Sequence, residues 1–344
     1  MMGRMTLPFG PPLAPMLARS QDEIPEGAGW RYEPKWDGYR AIVFRDGPDV
    51  HIGSRGEKPL HRYFPELLPV LRDALPKTCV LDGEIITPVN GVLEFDVLSQ
   101  RIHPAASRIE LLSRETPATF VAFDLLAAAG RDLRERPLRE RWERLAKALA
   151  DLPSDFDAVL SPGPAVCLTP QGSDAVEAAR WLEDLAASGL DGIIAKREEE
   201  PYRPGERTMV KVKRTKTADV VIGGYRVHKS GEGVGSLLLG LYDDAGVLHH
   251  VGFSGAFPAK QRREMLEILR PLEGGDAFGP GAGPGGPSRW RQEERAWVPL
   301  EPKLVAEVAY DHVTGHRFRH GTRLLRWRDD KPPEACTLDQ IRPG

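Results

Sequence analysis

The segment RYEPKWDGYR, residues 31–40, surrounds a lysine with acidic side chains. Lys35 lies two residues after Glu33 and two residues before Asp37. A lysine amine attacks an electrophile only when it is neutral, and its ordinary pKa of ~10.4 keeps it protonated. Neighbouring cations, a bound metal ion or burial lower that pKa. Since the two carboxylates could orient the amine or accept hydrogen bonds from a nucleotide, we interpret Lys35 as a candidate nucleophile.

Two further residues of this segment suit a phosphate. Gly38 would let the backbone approach a bound phosphate closely, because glycine has no side chain. Arg40 can hold phosphate oxygens through its fork of donors. Together these are the parts needed to attack a nucleoside triphosphate at its α-phosphorus. The alternative is a plain β-hairpin with its turn at Asp37-Gly38.

Length and composition indicate a soluble protein of two domains. The chain has 344 residues, of which 28% are charged and 41% hydrophobic. No apolar run approaches the ~20 residues of a membrane helix, and the Pro-rich N-terminus is unlike a signal peptide. Three separated cysteines, Cys79, Cys167 and Cys336, form no CxxC pair. We therefore expect neither a disulfide framework nor a zinc site, and a cytoplasmic protein that does not enter a membrane.

Basic residues are concentrated in two runs of a chain whose net charge is −3. Residues 201–217 hold six basic residues and one acid, and residues 312–331 hold six Arg or Lys against two Asp. One such run is often only a solvated face. Two of them in a chain that is acidic overall favour an anionic partner.

The pattern of strands and helices changes near residue 217. Before it, strand-like segments such as CVLDGEIIT and ATFVAFDLL alternate with helical ones such as RPLRERWERLAKALADL. After it, short β-rich segments follow one another with one helix, PAKQRREMLEIL, inserted among them. We therefore predict a mixed domain over residues 1–217 and a small β-barrel over residues 218–344. The Gly/Pro-rich residues 273–290 are predicted to form a flexible surface loop.

The lysine segment has the pattern K-x-D-G-x-R, which resembles motif I of the covalent nucleotidyltransferases. That superfamily includes ATP-dependent DNA ligases, RNA ligases and mRNA capping enzymes. Segments that resemble its other motifs follow in the expected order across about 300 residues. They are SRGE with Arg55, LDGEII with Glu84, FVAFDLL with Phe123, LDGIIAK with Asp191 and Lys196, MVKVKR with Lys211 and Lys213 after Arg207, and RWRDDK with Arg328, Asp330 and Lys331.

The resemblance implies an α+β fold and a role for each matched residue. The fold would be a nucleotidyltransferase (adenylation) domain with mixed antiparallel sheets and flanking helices, followed by a small OB-fold barrel. Lys35 would carry AMP, with Asp37 and Arg40 as its catalytic neighbours. Mg²⁺ (or Mn²⁺) would be held by Glu84 and Asp191, although the family more often has Glu at the second position. ATP would be bound by Glu33, Lys35, Arg40, Arg55, Glu84, Phe123, Lys196, Arg207, Lys211, Lys213, Arg328 and Lys331.

Other segments favour one branch of the superfamily. Trp36, the opening PPLAPMLA and the closing HVTGHRFRHGTRLLRWRDDKPP resemble short bacterial ATP-dependent DNA ligases. The resemblance implies nicked double-stranded DNA as substrate, a monomer working in DNA repair at the nucleoid, and repair-protein partners that the sequence does not identify. A capping-type guanylyltransferase or an RNA ligase remains an alternative. A hypothesis of another class is a non-catalytic OB-fold protein that binds nucleic acid.

Overall fold

The computed structural model describes residues 6–342, apart from residues 57, 164, 185–187, 191, 215 and 285–295. The chain forms two compact units, residues 1–214 and residues 215–344. The division after residue 217 that the sequence suggests falls just inside a strand that begins at Lys216, and it remains a proposal. No helix among the described residues is both long and apolar enough to span a membrane.

The first unit is built from two larger sheets, one two-stranded sheet and short helices. Its strands are β1 Leu17–Gln21, β2 Trp30–Lys35, β3 Tyr39–Asp46, β4 Asp49–Ser54, β5 Thr78–Ile86, β6 Pro88–Val89, β7 Val92–Leu93, β8 Thr119–Ala128, β9 Arg131–Asp132, β10 Ala165–Leu168, β11 Gly192–Arg197 and β12 Arg207–Lys213. Its helices are α1 Leu67–Ala74, α2 Phe95–Ser99, α3 Ala106–Glu115, α4 Leu138–Ala148, α5 Phe156–Val159 and α6 Ala175–Asp184.

The strand order shows how the lysine segment joins the two sheets. One sheet, which we call sheet A, has the order β1-β12-β11-β2. The other, sheet B, has the order β10-β8-β5-β3-β4, with β9 paired to β8. Consecutive strands β2 and β3 lie in different sheets, so residues 36–38 carry the chain from one sheet to the other. The alternative of a simple hairpin at Asp37-Gly38 is therefore wrong.

Alternation along the strands decides what each face of sheet B contacts. Side chains of successive residues point to opposite faces. In β3, Ile42 and Phe44 belong to an apolar cluster that also contains Met209 of β12, so the sheets pack face to face. Ala41 and Val43 instead belong to the cluster on the other side, which includes residues of α1 and α4.

Helix α4 covers that outer face with the apolar stripe that its sequence predicts. Leu138 and Leu145 are buried seven residues apart, and Trp142 is partly buried against the same cluster. Residues at such intervals share one face of a helix. Burying one leucine side chain stabilises a fold by about 1.5–3 kcal/mol.

The core of the second unit is a closed barrel of five main strands, and its described residues add three short strands and one α-helix. Its elements are β13 Lys216–Val227, β14 Val234–Tyr242, β15 Leu248–Gly255, α7 Ala259–Leu269, β16 Val298–Pro299, β17 Val305–Tyr310, β18 Val313–Thr314, β19 Arg317–Phe318 and β20 Arg323–Trp327. The strand order is β15-β14-β13-β17-β20. The ends of this order meet where the Thr322 amide donates to the Phe253 carbonyl at 2.9 Å, and the Ser254 hydroxyl donates to the Thr322 carbonyl at 3.0 Å. This closure gives the barrel predicted for an OB-fold.

The described part of the predicted surface loop, residues 273–284, contains no helix or named strand, as expected, but it is not wholly at the surface. Phe278 is only 5% exposed and belongs to the barrel core with Ala277. A Cβ placed on Gly223 of β13 would lie 2.4 Å from the Phe278 ring, so the strand needs glycine for this aromatic side chain to pack. The high Gly and Pro content obscured one buried aromatic side chain. Residues 285–290 of the predicted loop lie outside the described residues.

Candidate active site

A cavity of about 260 Å³ in the first unit is lined by residues of both sheets. The structure brings together there many of the residues that the sequence predicts for a nucleotide site. They are Glu33, Lys35, Asp37, Arg40, Arg55, Glu84, Phe123, Arg207 and Lys211. Residues 15–18, which lead into and begin β1, complete one wall.

Lys35 is the last residue of β2, where sheet A ends at the cavity. Trp36 fixes the chain that follows, because its ring is buried and its Nε1 donates to Thr169 Oγ1 at 2.9 Å. A Cβ on Gly38 would lie 2.2 Å from the Ile85 carbonyl oxygen. Gly38 therefore allows the link to cross over β5, a packing reason that differs from the close approach to phosphate expected from the sequence.

Arg40 is held by a buried carboxylate. Its Nε and Nη2 each donate to an oxygen of Asp82 at 2.6 Å, and the Asp82 side chain is fully buried. Burial of the guanidinium lowers the pKa of Arg40, but the neighbouring Asp82 raises it more, so the net shift is upward and the group stays charged. The Arg40 Cζ lies 4.4 Å from the centre of the Phe123 ring. The donor fork that the sequence suggested for phosphate is thus directed at Asp82.

Tyr202 also contacts Asp82, although it does not line the cavity. Its hydroxyl donates to Asp82 Oδ2 at 2.6 Å and accepts from the Met16 amide at 2.9 Å. Sequence reasoning missed both Asp82 and Tyr202. Asp82 had a signal, because it lies two residues before Glu84 on the same face of β5. Tyr202 had none, since its contact with Asp82 spans 120 residues.

Glu33, which lines the cavity, forms a buried ion pair with Lys196, which does not line it. Lys196 Nζ lies 2.6 Å from Glu33 Oε1, and the side chains are 3% and 2% exposed. Burial raises the pKa of Glu33, and Lys196 counteracts part of the shift. Lys196 Nζ also lies 4.5 Å from the centre of the Phe123 ring. Lys196 is not among the residues that line the cavity, so it contacts two lining residues from behind.

Phe123 lies where β8 is irregular. Asp124 pairs with Asp82 and Ala122 pairs with Gly83, which leaves Phe123 as an extra residue in β8. Such a bulge changes the direction of a side chain and is common beside active sites. Phe123 is 4% exposed and packs with Trp36 and Val121. The bulge therefore places an aromatic ring at the cavity.

Glu84 is the carboxylate that best fits a divalent cation. Burial raises its pKa to about 7, although Arg40 and Lys35 lower it. A buried carboxylate with a raised pKa gains when a cation is bound beside it. Among the described residues, no three His, Cys, Asp or Glu side chains cluster as metal ligands. Mg²⁺ does not require such a cluster, because it commonly uses one or two carboxylates with substrate phosphates and water. Asp191 lies outside the described residues.

Three predicted basic residues follow one another on a single face of β12. Arg207, Lys211 and Lys213 are separated by even steps, and Arg207 and Lys211 line the cavity. Lys213 lies beside Gly192 of β11 and is not among the lining residues. The Arg207 Nη1 donates to the Ala18 carbonyl at 3.2 Å, which ties β12 to β1.

The last two predicted residues belong to the second unit. Arg328 and Lys331 follow β20, and both contact the carboxylate of Asp219 in β13. Arg328 Nη1 lies 2.9 Å from Asp219 Oδ1, and Lys331 Nζ lies 2.8 Å from Asp219 Oδ2. Nothing in the sequence pointed to Asp219.

The chain is similar to DNA ligases over nearly its whole length. Models of the ATP dependent DNA ligase domain and of the ATP dependent DNA ligase C terminal region match residues 15–213 and 230–331. The chain is 49% identical to DNA ligase C1 of Mycolicibacterium smegmatis, over 98% of this chain and 96% of that protein. It is 47% identical to DNA ligase C of Mycobacterium tuberculosis, over the same shares.

A solved structure of a Lig E DNA ligase shows the same fold at low identity. It is 18% identical, covers 92% of this chain and 99% of its own chain, and superposes with a TM-score of 0.52. With the two family matches, this similarity confirms the predicted fold class, an adenylation domain followed by an OB-fold barrel.

Proposed function

The chain belongs to the ATP-dependent DNA ligase family, and on that basis we propose a role for each site residue that the sequence predicts. The family and the named relatives make the protein an ATP-dependent ligase that forms phosphodiester bonds in DNA. The residue roles, the divalent cation and the biological setting are our proposals.

Lys35 is the nucleophile of the first step. Its amine attacks the α-phosphorus of ATP, a P–N bond forms, the bond to the bridging oxygen breaks, and pyrophosphate leaves as the amine loses its protons. The observation that carries this assignment is the position of Lys35 at the end of β2, in a cavity that also collects Arg55, Arg207 and Lys211. Neighbouring cations favour the neutral amine and offset the charge of the phosphates.

The nucleotide is held by groups on both sheets. Phe123 stacks on the adenine, because its ring lies at the cavity and is supported by Arg40 and Lys196. Glu33 accepts hydrogen bonds from the nucleoside, and the Lys196 ammonium group favours the charged form of its carboxyl and holds it in place. Arg55, Arg207, Lys211 and Lys213 contact phosphate oxygens. Asp37 orients the Lys35 amine from the link between the sheets.

Glu84 holds Mg²⁺, with Asp191 as a second carboxylate. The charge that Mg²⁺ supplies when bound offsets negative charge on the phosphate oxygens. Glu84 suits this role because it is half-buried at the cavity and its raised pKa makes the carboxylate costly to ionise without a cation beside it. Arg40 remains paired with Asp82 and holds the wall against which the nucleotide lies.

The remaining steps use the AMP on Lys35 to seal a nick. The 5′-phosphate at the nick attacks the phosphorus of lysyl-AMP, the P–N bond breaks, and an adenylylated DNA end forms. The 3′-hydroxyl then attacks the 5′-phosphorus, AMP leaves and the strand is closed. Arg328 and Lys331 act earlier, on the leaving pyrophosphate of the first step.

DNA is bound through its backbone, since a nick can occur in any sequence. The basic residues of the barrel supply the phosphate contacts, so affinity decreases steeply with salt and varies little with base sequence. We further propose that the enzyme works as a monomer. DNA repair at the nucleoid in the cytoplasm is its proposed setting, with repair-protein partners that the chain does not identify.

Labelling with nucleotide tests this proposal. Purified chain incubated with α-labelled ATP and Mg²⁺ should acquire acid-labile AMP, and Lys35→Ala should abolish it. Lys147→Ala is the control, because Lys147 lies in the last turn of α4, away from the cavity. Label retained by Lys35→Ala would move the nucleophile to another residue. Label from GTP alone would favour a capping-type enzyme, and no label at all would favour a non-catalytic OB-fold protein.

A further inference from the structure

Asp219 contacts two of the three cationic residues of the RWRDDK segment, Arg328 and Lys331. It is the fourth residue of β13 and pairs with Glu307 of β17. Arg328 Nη1 lies 2.9 Å and 3.1 Å from its two oxygens, and Lys331 Nζ lies 2.8 Å from Oδ2. One carboxylate therefore sets the distance between a guanidinium and an ammonium group that come from a different part of the barrel.

The position of this carboxylate is fixed from its backbone. The Gln340 side chain accepts from the Asp219 amide at 3.0 Å and donates to the Asp219 carbonyl at 3.0 Å. The Arg328 amide donates to the Val305 carbonyl of β17 at 2.8 Å, which fixes the other end of the contact. Asp219 and Arg328 are thus attached to neighbouring strands of one sheet.

A role in stability alone does not account for this arrangement. The Arg328 and Lys331 side chains are 19% and 24% exposed, and Asp219 is 13% exposed. Ion pairs that water reaches contribute little to stability, and ordering long side chains has an entropic cost. Asp330 also pairs with Arg328, at 2.8 Å, but its side chain is 66% exposed and no contact joins it to Lys331 among the described hydrogen bonds and ion pairs. Asp219 is the group that orders both cations together.

We propose that Asp219 is a positioning residue that presets Arg328 and Lys331 as a paired site for the pyrophosphate that leaves during lysine adenylylation. Two adjacent cationic donors complement the oxygens of a diphosphate. The inference rests on the proposed role of Arg328 and Lys331. Asp219 itself does not touch the substrate. It lowers the cost of ordering two flexible side chains before the triphosphate arrives.

The test compares lysine adenylylation with sealing of a nick that is already adenylylated. Asp219→Asn keeps the shape of the side chain but removes its charge. We expect it to slow adenylylation about tenfold, and to raise by a similar factor the pyrophosphate concentration needed for the reverse reaction. Sealing of the adenylylated nick should stay within about twofold of the parent. Glu264→Gln is the control, because it removes one carboxylate of the same unit from an exposed ion pair with Lys260 on α7 and should change neither activity.

The double variant separates positioning from a general loss of structure. If Asp219 acts through Arg328, adding Asp219→Asn to Arg328→Ala should slow adenylylation less than the product of the single effects. Asp219→Glu restores the charge and should recover part of the rate. Equal loss of both activities, or full additivity, would overturn the inference. If Arg328→Ala itself leaves adenylylation unchanged, the proposed role of Arg328 fails. If Arg328→Ala slows adenylylation selectively while Asp219→Asn matches the parent, only the role of Asp219 fails.

Discussion

Tyr202 donates its hydroxyl hydrogen to Asp82 across 2.6 Å, and through that carboxylate it fixes Arg40 at the cavity. The same hydroxyl accepts from the amide of Met16, a lining residue. A tyrosine that does not line the cavity therefore holds two groups that do. Tyr202 is 1% exposed and the Asp82 side chain is fully buried, whereas the Arg40 side chain is 19% exposed at the cavity.

Removing this hydroxyl should weaken ATP binding without unfolding the protein. Tyr202→Phe leaves the Met16 amide without its acceptor and removes one donor from Asp82. We expect the KM for ATP in lysine adenylylation to rise about three- to tenfold, and the free energy of unfolding to fall by about 1–3 kcal/mol. Steady-state labelling and urea titration measure the two effects.

Tyr32→Phe is the matched control for Tyr202→Phe. Tyr32 is also buried, but its hydroxyl donates to the Pro25 carbonyl and its ring packs with the cluster that includes Ala178 of α6. It should lose stability with an unchanged KM. Equal rises of KM in both variants would show that the effect of Tyr202 is general and not transmitted through Asp82.

Removing Lys196 from its ion pair with Glu33 should destabilise the protein. Lys196→Met leaves the Glu33 carboxylate buried without a counter-charge, and we expect a loss of about 3–5 kcal/mol in the free energy of unfolding. Adding Glu33→Leu removes that charge and should recover much of the stability. Lysine adenylylation should stay low in the double variant, because Glu33 lines the cavity. Recovery of activity along with stability would make the pair purely structural.

Glu84 should give the stability of the protein a distinctive dependence on pH. Burial raises its pKa to about 7 from an ordinary value of 4.5. Between these values the folded chain retains a proton that the unfolded chain releases. The stabilisation from this group is therefore complete below pH ~4.5 and is lost as the pH rises through ~7.

The variant Glu84→Gln isolates that dependence. Its free energy of unfolding, measured in urea from pH 5 to pH 8 without nucleotide or metal, should gain on that of the parent as the pH rises. Glu110→Gln, at an exposed position of α3, should follow the parent. Parallel curves for the parent and Glu84→Gln would contradict the raised pKa.

Replacing Phe123 should affect the nucleotide more than the fold. Phe123→Leu retains apolar volume but loses the flat ring, and stacking of a base on an aromatic ring is worth about 1–3 kcal/mol. We therefore expect the KM for ATP to rise about tenfold or more. Phe64→Leu is the control, since Phe64 lies in the cluster on the far face of sheet B. A lower melting temperature of Phe123→Leu with an unchanged KM for ATP would show that Phe123 packs in the core and does not contact the nucleotide.

The strands and most of the cavity residues were predictable because they depend on local pattern. The family resemblance led to Glu84, and alternation along β12 put Lys211 and Lys213 on one face; Glu84 and Lys211 both line the cavity. The contacts of Arg40 with Asp82 and of Arg328 with Asp219 were not predictable, although the place of Asp82 two residues before Glu84 was a signal that it belonged to the site. Asp82 lies 42 residues from Arg40, and Asp219 lies 109 residues from Arg328. Contacts over such separations depend on how sheets and strands come together, which no local spacing encodes.

Phe278 was missed for a different reason. A Gly/Pro-rich composition is typical of loops, but it does not report whether one aromatic side chain in the loop is inserted into a core. The glycine that accommodates Phe278 lies in β13, far away in the sequence.

Lys35 lies next to the short link that joins β2 of sheet A to β3 of sheet B. Only residues 36–38 separate the nucleophile from a strand of the other sheet, and Trp36 and Gly38 are both tightly packed. An AMP group attached to Lys35 would add a link between sheet A and sheet B, which otherwise contact each other through side-chain packing. The adenylylated enzyme should then show slower amide hydrogen exchange than the free enzyme, even in strands that do not contact the nucleotide.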